Sequence, residues 1–359
     1  MSFIKTIFEK VRDHPKRIVF PEGTHEQIIR AAIEYHVRGL GIAILLGSRQ
    51  AIEKVAHGAK LDLSRVRILD PAKADDLERF AEIFLELRHE KGLGKDEAIE
   101  TIKKQPIYFA TMMLHQTSVD GLVAGVQTSV AATLRALSQT IYLEPGIKAA
   151  SSCSVIQFDD KQVGEEGVLY FADCNVIPDP SADQLADIAV VTAKLARQLH
   201  GTKPRVAFLS YSTKRTSRNK MLDKILAAIA LARQIAEQKH VEAEFDGELQ
   251  VDVALAPVIA KNRVSHSSVA GKANVLIFPD LNSGNISFKL VQQLAPCALY
   301  GPILNGLSKP ASDLSYYNVS VNEIVGAAAI VALQSVEYRK LYPKGDVVVK
   351  ERQVYHKLS

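Results

Sequence analysis

Short apolar runs alternate with segments of helical periodicity along most of the chain. The runs have the length of buried strands, and the segments between them repeat apolar side chains every three or four positions, as amphipathic helices do. Strands are predicted at residues 17–23, 39–47, 66–69, 120–125, 205–211 and 275–278, and helices at 1–12, 74–91, 106–114, 128–141, 181–200, 221–238 and 323–338. Alternating strands and helices predict an α/β fold with mostly parallel sheets.

The pattern changes near the middle of the chain. Small residues become frequent at 145–152, and we place a domain boundary there. Two strand-like runs, 154–158 and 167–171, then follow one another without a helix between them. Parallel neighbours need a crossover connection, so the sequence predicts a local antiparallel pair at the start of the second domain.

Two patterns mark the starts of helices. Ser181 is followed three positions later by Gln184, and Thr24 is followed by Gln27 in the same way. In a capping box of this spacing, the first side chain accepts a hydrogen bond from the N–H of the last residue, whose own side chain bonds back. We therefore predict that helices begin at both sites.

The stretch 271–315 organises the polar loops of the chain. Its apolar run at 275–278 ends at Pro279, and a loop rich in Asp, Asn, Ser and Gly follows. A helix is predicted to start near residues 284–286, where free N–H groups and the helix dipole favour an anion. The apolar positions of this helix are Ile286, Leu290, Val291 and Leu294.

A second loop of small residues, 301–315, follows the next apolar run. Ligands of doubly wound sheets bind at the carboxyl ends of the strands, so we expect these two loops to carry the chemistry. Their lysines and asparagines are candidate ligand contacts, although lysines are more often solvated and asparagines also suit turns. The candidates are Asn282, Asn285, Lys289, Asn305 and Lys309.

Composition narrows the class of protein. The chain has 359 residues, of which 47% are hydrophobic and 23% charged, as in soluble globular proteins of two domains. The net charge of +4 and the absence of tryptophan argue against a nucleic-acid partner. No run reaches the ~18 apolar residues of a membrane span, and the charged N-terminus does not resemble a signal peptide. The three cysteines lack C-x-x-C spacing, so a reducing, cytoplasmic location is expected.

Motifs that would identify other classes of enzyme are absent. No G-x-G-x-x-G follows a strand, and no Walker A loop, H-E-x-x-H or G-x-S-x-G elbow occurs. The histidines are scattered, so no metal site is predicted. The remaining polar loops are rich in Ser, Thr, Asn, Lys and Arg, which suits an anionic substrate handled without a metal or redox cofactor.

The most specific feature of the sequence is a set of six segments. They are VAGKANVLIFPDLNSGNISFKLVQQLA (269–295), GPILNGLSKPASDLS (301–315), FDGELQVDVAL (245–255), DGLVAG (120–125), ADCNVIPDPSADQLADIA (172–189) and FLSYSTK (208–214). In identity and order they resemble segments of the phosphotransacetylases, within the phosphate acetyl/butyryl transferase family. The resemblance covers roughly residues 17–334.

The resemblance implies reversible acyl transfer, in which acetyl-CoA and inorganic phosphate give acetyl phosphate and CoA. It implies two α/β/α domains like those of the isocitrate/isopropylmalate dehydrogenases, with the site in the cleft between them. The expected first domain comprises residues 1–147 and, after an inserted domain at 148–300 that is expected to form a homodimer, a return segment and tail at 301–359. Coenzyme A is then a substrate, and no metal or other cofactor is implied.

The resemblance also implies roles for individual residues. Two anionic reactants require guanidinium groups to neutralise and orient them. Arg135 matches the arginine that the family places at the phosphate, and Arg88 matches a second functional arginine. Ser315 matches the active-site serine, an orienting or oxyanion donor. Glu323 falls where the family has an aspartate base, and Tyr316 where it usually has an arginine. Taken alone, such residues equally suit surface ion pairs or helix caps.

The cation missing at Tyr316 leads to one hypothesis. The loop after the STK motif is commonly Gly-Ser in the family, whereas Arg215 and Thr216 stand there in this chain. We hypothesise that Arg215 or Arg218 supplies the missing charge. An Arg215→Ala variant with an unchanged phosphate KM and turnover would refute this for Arg215.

Three other interpretations remain open at this stage. Tyr316 and the altered loop also suit a non-catalytic, acyl-CoA-binding regulatory protein of the same fold. A propionyl- or butyryl-preferring phosphate acyltransferase is a further alternative, because nothing in the sequence sets the acyl chain length. A metal-dependent decarboxylating dehydrogenase of the same architecture would need a cluster of aspartate ligands and a nucleotide loop, and neither is visible.

Overall fold

The structure is a computed structural model that describes residues 3–88, 92–216, 219–264, 266–314 and 319–341. The strands are β1 (Lys16–Phe20), β2 (Gly41–Leu46), β3 (Arg67–Leu69), β4 (Gly121–Ala124), β5 (Ser151–Phe158), β6 (Val168–Ala172), β7 (Arg205–Leu209), β8 (Glu244–Leu249), β9 (Val275–Ile277), β10 (Cys297–Asn305) and β11 (Ala311–Asp313). The helices are α1 (Phe3–Arg12), α2 (Glu26–Val37), α3 (Arg49–Gly58), α4 (Leu77–Arg88), α5 (Lys95–Lys104), α6 (Pro106–His115), α7 (Val130–Thr140), α8 (Ala182–His200), α9 (Lys220–Gln238), α10 (Val251–Leu255), α11 (Pro257–Arg263), α12 (Leu281–Leu294) and α13 (Val321–Leu341).

The chain divides into two compact units. Unit 1 consists of Met1–Pro145 and Leu307–Ser359, and unit 2 of Gly146–Gly306. Each unit contains strands and helices in alternation, so the predicted α/β class with mostly parallel sheets is confirmed. No helix within the described ranges combines the length and the hydropathy that a bilayer span requires.

Unit 1 is built on a parallel sheet. Its strands lie in the order β3-β2-β1-β4-β11, and every neighbouring pair is parallel. Helix α13 packs on this sheet, and residues 324–332 of the helix are buried, as expected of a helix that is apolar all round. Gly121 allows the close approach, because a Cβ placed there would lie 2.3 Å from a side-chain carbon of Val331.

Unit 2 has a mixed sheet in the order β10-β5-β6-β9-β7-β8. The pairs β10/β5 and β5/β6 are antiparallel, whereas β6/β9, β9/β7 and β7/β8 are parallel. The antiparallel pair predicted from two consecutive strand-like runs is therefore confirmed. The apolar core of unit 2 contains side chains from the strands, α10 and α12. They include Phe171, Leu276, Phe278 and Phe288.

One of the two predicted capping boxes forms. Ser181 and Gln184 make both bonds of the box at the start of α8. The prediction at Thr24 is wrong, because α2 begins at Glu26 and His25 precedes it without a side-chain cap. The chain at this point forms a turn instead, in which the N–H of His25 bonds to the carbonyl oxygen of Glu22.

The stretch 271–315 differs from the prediction in two ways. Helix α12 begins at Leu281, three residues early, because the Asp280 side chain accepts a 2.8 Å hydrogen bond from the N–H of Ser283 and caps the helix there. The predicted loop at 301–315 is in large part strand, since β10 continues to Asn305 and β11 occupies Ala311–Asp313. The first N–H groups of α12 are engaged within the chain, because that of Leu281 donates to the Pro178 carbonyl and that of Ser283 to the Asp280 carboxylate.

Helix α12 leaves most of its predicted apolar face exposed, although Val291 of that face packs against the core of unit 2. Gly284 and Phe288 are its buried residues. Ile286, Leu290 and Leu294 are 57%, 54% and 79% exposed. Gly284 determines this orientation, because a Cβ there would lie 2.3 Å from the carbonyl oxygen of Asp173 in the loop after β6.

Candidate active site

Two of the predicted arginines lie on helices that one tyrosine connects. Arg88 is the last residue of α4, and Arg135 lies in α7. The ring of Tyr108 in α6 meets the edge of the Phe84 ring, one turn before Arg88, with 5.4 Å between centroids. The Tyr108 hydroxyl donates a 3.0 Å hydrogen bond to Gln139 Oε1, one turn after Arg135. The structure therefore brings the helices of these two cations together.

Burial and nearby charge act on the Tyr108 hydroxyl in opposite directions. Burial raises the pKa of the Tyr108 hydroxyl, and the positive charges of Arg135 and Arg88 act in the opposite direction. Since the net shift is upward, the phenol stays protonated at neutral pH and remains a hydrogen-bond donor.

A carboxylate that the sequence did not single out organises the loop before α7. Glu22 is 6% exposed, and its two oxygens accept hydrogen bonds of 2.5 to 3.3 Å from the backbone N–H groups of residues 125–128. Successive N–H groups of this kind form an anion-binding nest. The chain's own carboxylate therefore fills this nest.

Glu323, the predicted base, takes part in a helix cap. Its Oε2 accepts hydrogen bonds from the backbone N–H of Ser320 at 2.8 Å and from the Ser320 hydroxyl at 2.7 Å. The N–H of Glu323 donates to Ser320 Oγ at 3.3 Å, which completes a capping box at the start of α13. This geometry matches the helix-cap alternative, and the role as a base stays a prediction.

Lys309 is not the solvated lysine that its type would suggest. Its side chain is buried, and Nζ lies 4.6 Å from the centroid of the Tyr338 ring. An ammonium over an aromatic face is attracted by the negative charge density of the ring. Contact between Lys309 and a substrate stays a prediction.

In unit 2, Asp173 orders the loop that follows β6. Its carboxylate accepts hydrogen bonds of 2.8 to 3.2 Å from the N–H groups of residues 175–177, and a further one from the Ser152 hydroxyl. Burial raises the pKa of Asp173 even though these hydrogen bonds act to lower it. The predicted ligand contact Asn285 joins α12 to this loop, because its Nδ2 donates a 3.0 Å bond to the Cys174 carbonyl.

Glu248, at the end of β8, orders the loop that carries Arg215. Its Oε1 accepts hydrogen bonds from the Ser212 hydroxyl at 3.1 Å and from the Arg215 N–H at 2.5 Å. Glu248 is completely buried, and its Oε2 has no hydrogen-bond partner among the described residues. The buried Glu248 carboxylate therefore holds the backbone of Arg215, while the side chain of Arg215 is exposed.

The other predicted ligand contacts of unit 2 lie in different settings. Asn282 is exposed in the first turn of α12. Lys289 Nζ donates a 3.2 Å hydrogen bond to Gln292 Oε1, and burial lowers the pKa of this lysine. Asn305 is buried at the end of β10, opposite Ser151 of β5. Their roles toward a substrate are not tested by these contacts and stay predictions.

Ser315, Tyr316 and Arg218 lie outside the described residues. The predicted role of the serine, and the hypothesis that Arg215 or Arg218 replaces a cation at position 316, therefore stay predictions. In the part of the chain that the structure describes, no cluster of three or more His, Cys, Asp or Glu side chains is arranged to hold a metal ion.

Glu22, Tyr108 and Gln139 are the residues of unit 1 that sequence reasoning missed. Their importance comes from partners distant in the sequence, 103 to 106 residues away for Glu22 and 31 residues away for Tyr108. The only local signal is the F-P-E-G run after β1, where an acidic residue follows a buried strand. Nothing in the sequence around Tyr108 distinguishes it from the other apolar positions of α6.

Comparison with known proteins identifies a protein family whose sequence model matches this chain. The sequence model of the family described as "Phosphate acetyl/butaryl transferase" matches residues 2–332. The phosphate acetyltransferase of Acetivibrio thermocellus is 42% identical over 335 residues, which cover 93% of this chain and 98% of that protein. Both similarities extend over nearly the whole chain.

Solved structures give the same relationship. A phosphotransacetylase from Streptococcus pyogenes has a TM-score of 0.84 and 34% identity, covering 93% of this chain and 98% of the other. The 4-hydroxythreonine-4-phosphate dehydrogenase of Klebsiella pneumoniae has a TM-score of 0.50 and 12% identity, covering 89% of this chain and 99% of the other. The second similarity concerns the fold alone, and it agrees with the predicted likeness to dehydrogenases.

Proposed function

This chain belongs to the phosphate acetyl/butyryl transferase family, and we propose on that premise that it transfers an acetyl group reversibly between coenzyme A and inorganic phosphate. The observation that carries the proposal is the 42% identity to a phosphate acetyltransferase along 93% of the chain. The two arginine-bearing helices joined by Tyr108 support it, because the reaction needs cations at an anionic substrate.

The proposed reaction exchanges one bond at the acetyl carbonyl carbon. A phosphate oxygen attacks the thioester, a C–O bond forms, the C–S bond breaks, and the phosphate proton ends on the sulfur. Negative charge develops on the carbonyl oxygen, so a hydrogen-bond donor there accelerates the step. In this proposal Arg135 and Arg88 hold the phosphate, Ser315 donates to the oxyanion, and Glu323 transfers the thiol proton.

A thiol-release assay tests the function. Acetyl-CoA and phosphate are incubated with the purified chain, and free CoA is followed by its reaction with a disulfide dye. We expect phosphate-dependent release of CoA, and acetyl-CoA formation when acetyl phosphate and CoA are supplied instead. If acetyl-CoA binds but neither direction turns over, the regulatory alternative is correct and the proposed function is wrong.

Variants assign the roles. Arg135→Ala is expected to raise the phosphate KM and lower kcat, and Ser315→Ala to lower kcat by about 10²–10³, the loss typical of an oxyanion donor. Arg30→Ala is the matched control, since Arg30 is an exposed arginine of the same unit paired with Glu26. Equal kinetics for Arg135→Ala and Arg30→Ala would contradict the assignment of Arg135.

The acyl group is proposed to be acetyl, because the similar proteins reported above include a phosphate acetyltransferase. The same assay with acetyl-, propionyl- and butyryl-CoA tests this choice. The proposal expects the highest kcat/KM for acetyl-CoA. A higher value for butyryl-CoA would assign the chain to the longer-chain branch of the family instead.

We propose that the chain forms a homodimer through the exposed stripe of α12. Ile286, Leu290 and Leu294 recur every fourth residue on one face and are more than half exposed. An apolar stripe of this width in water is typical of a surface that packs on a partner.

A Leu290→Glu and Leu294→Glu double variant is therefore expected to be monomeric by light scattering. Val37→Glu, at an exposed valine of unit 1, is the control expected to keep the wild-type mass, and a monomeric wild type would refute the dimer.

Two further proposals concern the surroundings of the enzyme. Cys153, Cys174 and Cys297 are free thiols, which suits a reducing compartment, and we place the chain in the cytoplasm. Cell fractionation tests this.

We also propose that catalysis needs no metal, so treatment with a chelator is expected to leave activity unchanged. Loss of activity that added Mg²⁺ restores would contradict it.

A further inference from the structure

Tyr108 connects the two helices that carry the predicted phosphate ligands, and it does so symmetrically. Its ring contacts α4 at Phe84, four residues before Arg88. Its hydroxyl bonds to α7 at Gln139, four residues after Arg135. Residues four apart in a helix lie on the same face, one turn from each other. Each contact of Tyr108 is thus one turn from an arginine.

The helix that presents Tyr108 is a rigid support. Residues 107–114 of α6 are all buried, so α6 is held on every side. A tyrosine has only two side-chain torsions, and its ring and hydroxyl therefore transmit the position of α6 to their contacts without much freedom. The contacts at Phe84 and Gln139 then determine where α4 and α7 lie relative to α6.

The two arginines need such support because they carry like charges. Each arginine lies one turn from a contact of Tyr108, and like charges on neighbouring helices repel one another in the absence of an anion. A phosphate that contacts both cations gains the most when they are already at the correct spacing, because ordering side chains on binding costs free energy.

We propose that Tyr108 is a positioning residue that sets the spacing of Arg88 and Arg135 and thereby the affinity for inorganic phosphate and acetyl phosphate. This rests on the proposed function. Tyr108 takes no part in bond making. Its effect is on the KM of the phosphoryl substrate, and the KM of the CoA substrate does not depend on it.

Two substitutions remove the same hydrogen bond from opposite ends. Tyr108→Phe keeps the ring on Phe84 and removes the donor, and Gln139→Met keeps the side-chain length and removes the acceptor. Each is expected to raise the KM for phosphate about three- to tenfold, the range that one hydrogen bond supplies. The double variant is expected to show no further increase, because both changes break one bond.

Tyr300→Phe is the matched control. Tyr300 in unit 2 also donates to a glutamine, at 3.2 Å to Gln157 Oε1, and its loss is expected to leave both KM values unchanged. Thermal unfolding of all variants checks that they fold. Wild-type phosphate KM in both Tyr108→Phe and Gln139→Met, or an equal rise in the KM of acetyl-CoA, overturns the proposal.

A binding measurement separates this inference from the proposed function. If the wild type does not turn over, the proposed function has failed, and calorimetric titration with inorganic phosphate then decides the inference alone. A dissociation constant about three- to tenfold higher in Tyr108→Phe than in the wild type supports it. Equal constants overturn it, as does a wild type that binds no phosphate.

Discussion

Each unit holds a loop in place with a buried carboxylate, but the two carboxylates differ in how many of their oxygens have hydrogen-bond partners. Glu22 in unit 1 uses both oxygens and accepts hydrogen bonds from the backbone N–H groups of residues 125–128. Glu248 in unit 2 is more deeply buried, yet only its Oε1 has partners within the described residues. A buried acceptor with all its bonds stabilises the fold, whereas one without a partner costs free energy.

The two units also differ in how many large apolar side chains they expose. Among the described residues, Val37 is the exposed large apolar side chain of unit 1, while those of unit 2 are Tyr211, Met221, Val251, Val258, Ile286, Leu290 and Leu294. The comparison teaches that the loop carboxylate of unit 1 has partners for both oxygens and that unit 1 exposes little apolar surface, whereas unit 2 leaves one carboxylate oxygen without a partner in the described residues and exposes an apolar stripe. Four predictions test this contrast.

The largest expected effect is at Glu22. In Glu22→Gln one oxygen becomes an NH₂ group facing a backbone N–H, so at least one buried donor loses its acceptor. We expect the free energy of unfolding to fall by about 3 kcal/mol, measured by urea denaturation. Glu26→Gln, an exposed glutamate four residues away in an ion pair with Arg30, is the control expected to lose less than about 1 kcal/mol. Equal losses would show that the nest contributes little.

The two close-packed glycines should respond unequally. In Gly284→Ala of unit 2 the new methyl group meets the backbone oxygen of Asp173, which cannot move without shifting the loop after β6. We expect a loss of about 2–3 kcal/mol. In Gly121→Ala of unit 1 the methyl group meets the side chain of Val331, which can shift with less disturbance than a backbone oxygen, and about 1–2 kcal/mol is expected. The reverse order in chemical denaturation would contradict this explanation.

A small effect is expected at Glu248. Glu248→Gln keeps an oxygen for Ser212 and Arg215 and removes a charge whose other oxygen has no partner in the described residues. The free energy of unfolding should change by less than about 1 kcal/mol in either direction. A loss as large as that of Glu22→Gln would mean that Oε2 is bonded after all, and that the two carboxylates are equivalent.

The smallest effect is a pH dependence at Asp173. Burial raises its folded-state pKa above the unfolded value, so the folded state binds the proton more tightly. Stability therefore rises as pH falls through the folded pKa toward about 4, the unfolded value. The difference in unfolding free energy between the wild type and Asp173→Asn should move in favour of the wild type between pH 7 and pH 4. A shift toward the variant would show that the hydrogen bonds outweigh burial.

Much of the fold was predictable because strands and helices are encoded locally. Apolar runs located β1, β2, β7 and β9, and the Ser181–Gln184 spacing located the start of α8. The same reasoning misplaced the start of α12, because it did not include the competing cap at Asp280. It also assigned residues 301–305 to a loop, although a strand tolerates small residues where its neighbours bury it.

The candidate site was less predictable, since its geometry depends on distant partners. The arginines were identified by resemblance to a family and by the need for cations, and their helices do share Tyr108. The periodicity of α12 revealed an apolar face but not which side of the helix the sheet would cover, which Gly284 decides by its contact with Asp173. The nest around Glu22 was invisible, because backbone N–H groups leave no trace in a sequence.

The position of β11 has a consequence for how the protein is made. This strand completes the sheet of unit 1 by pairing with β4, yet all of unit 2 separates the two in the chain. A ribosome therefore releases the whole of unit 2 before the last strand of unit 1 emerges. Domains generally fold as units during synthesis, so the sheet of unit 1 can be completed only after nearly all of unit 2 has been made.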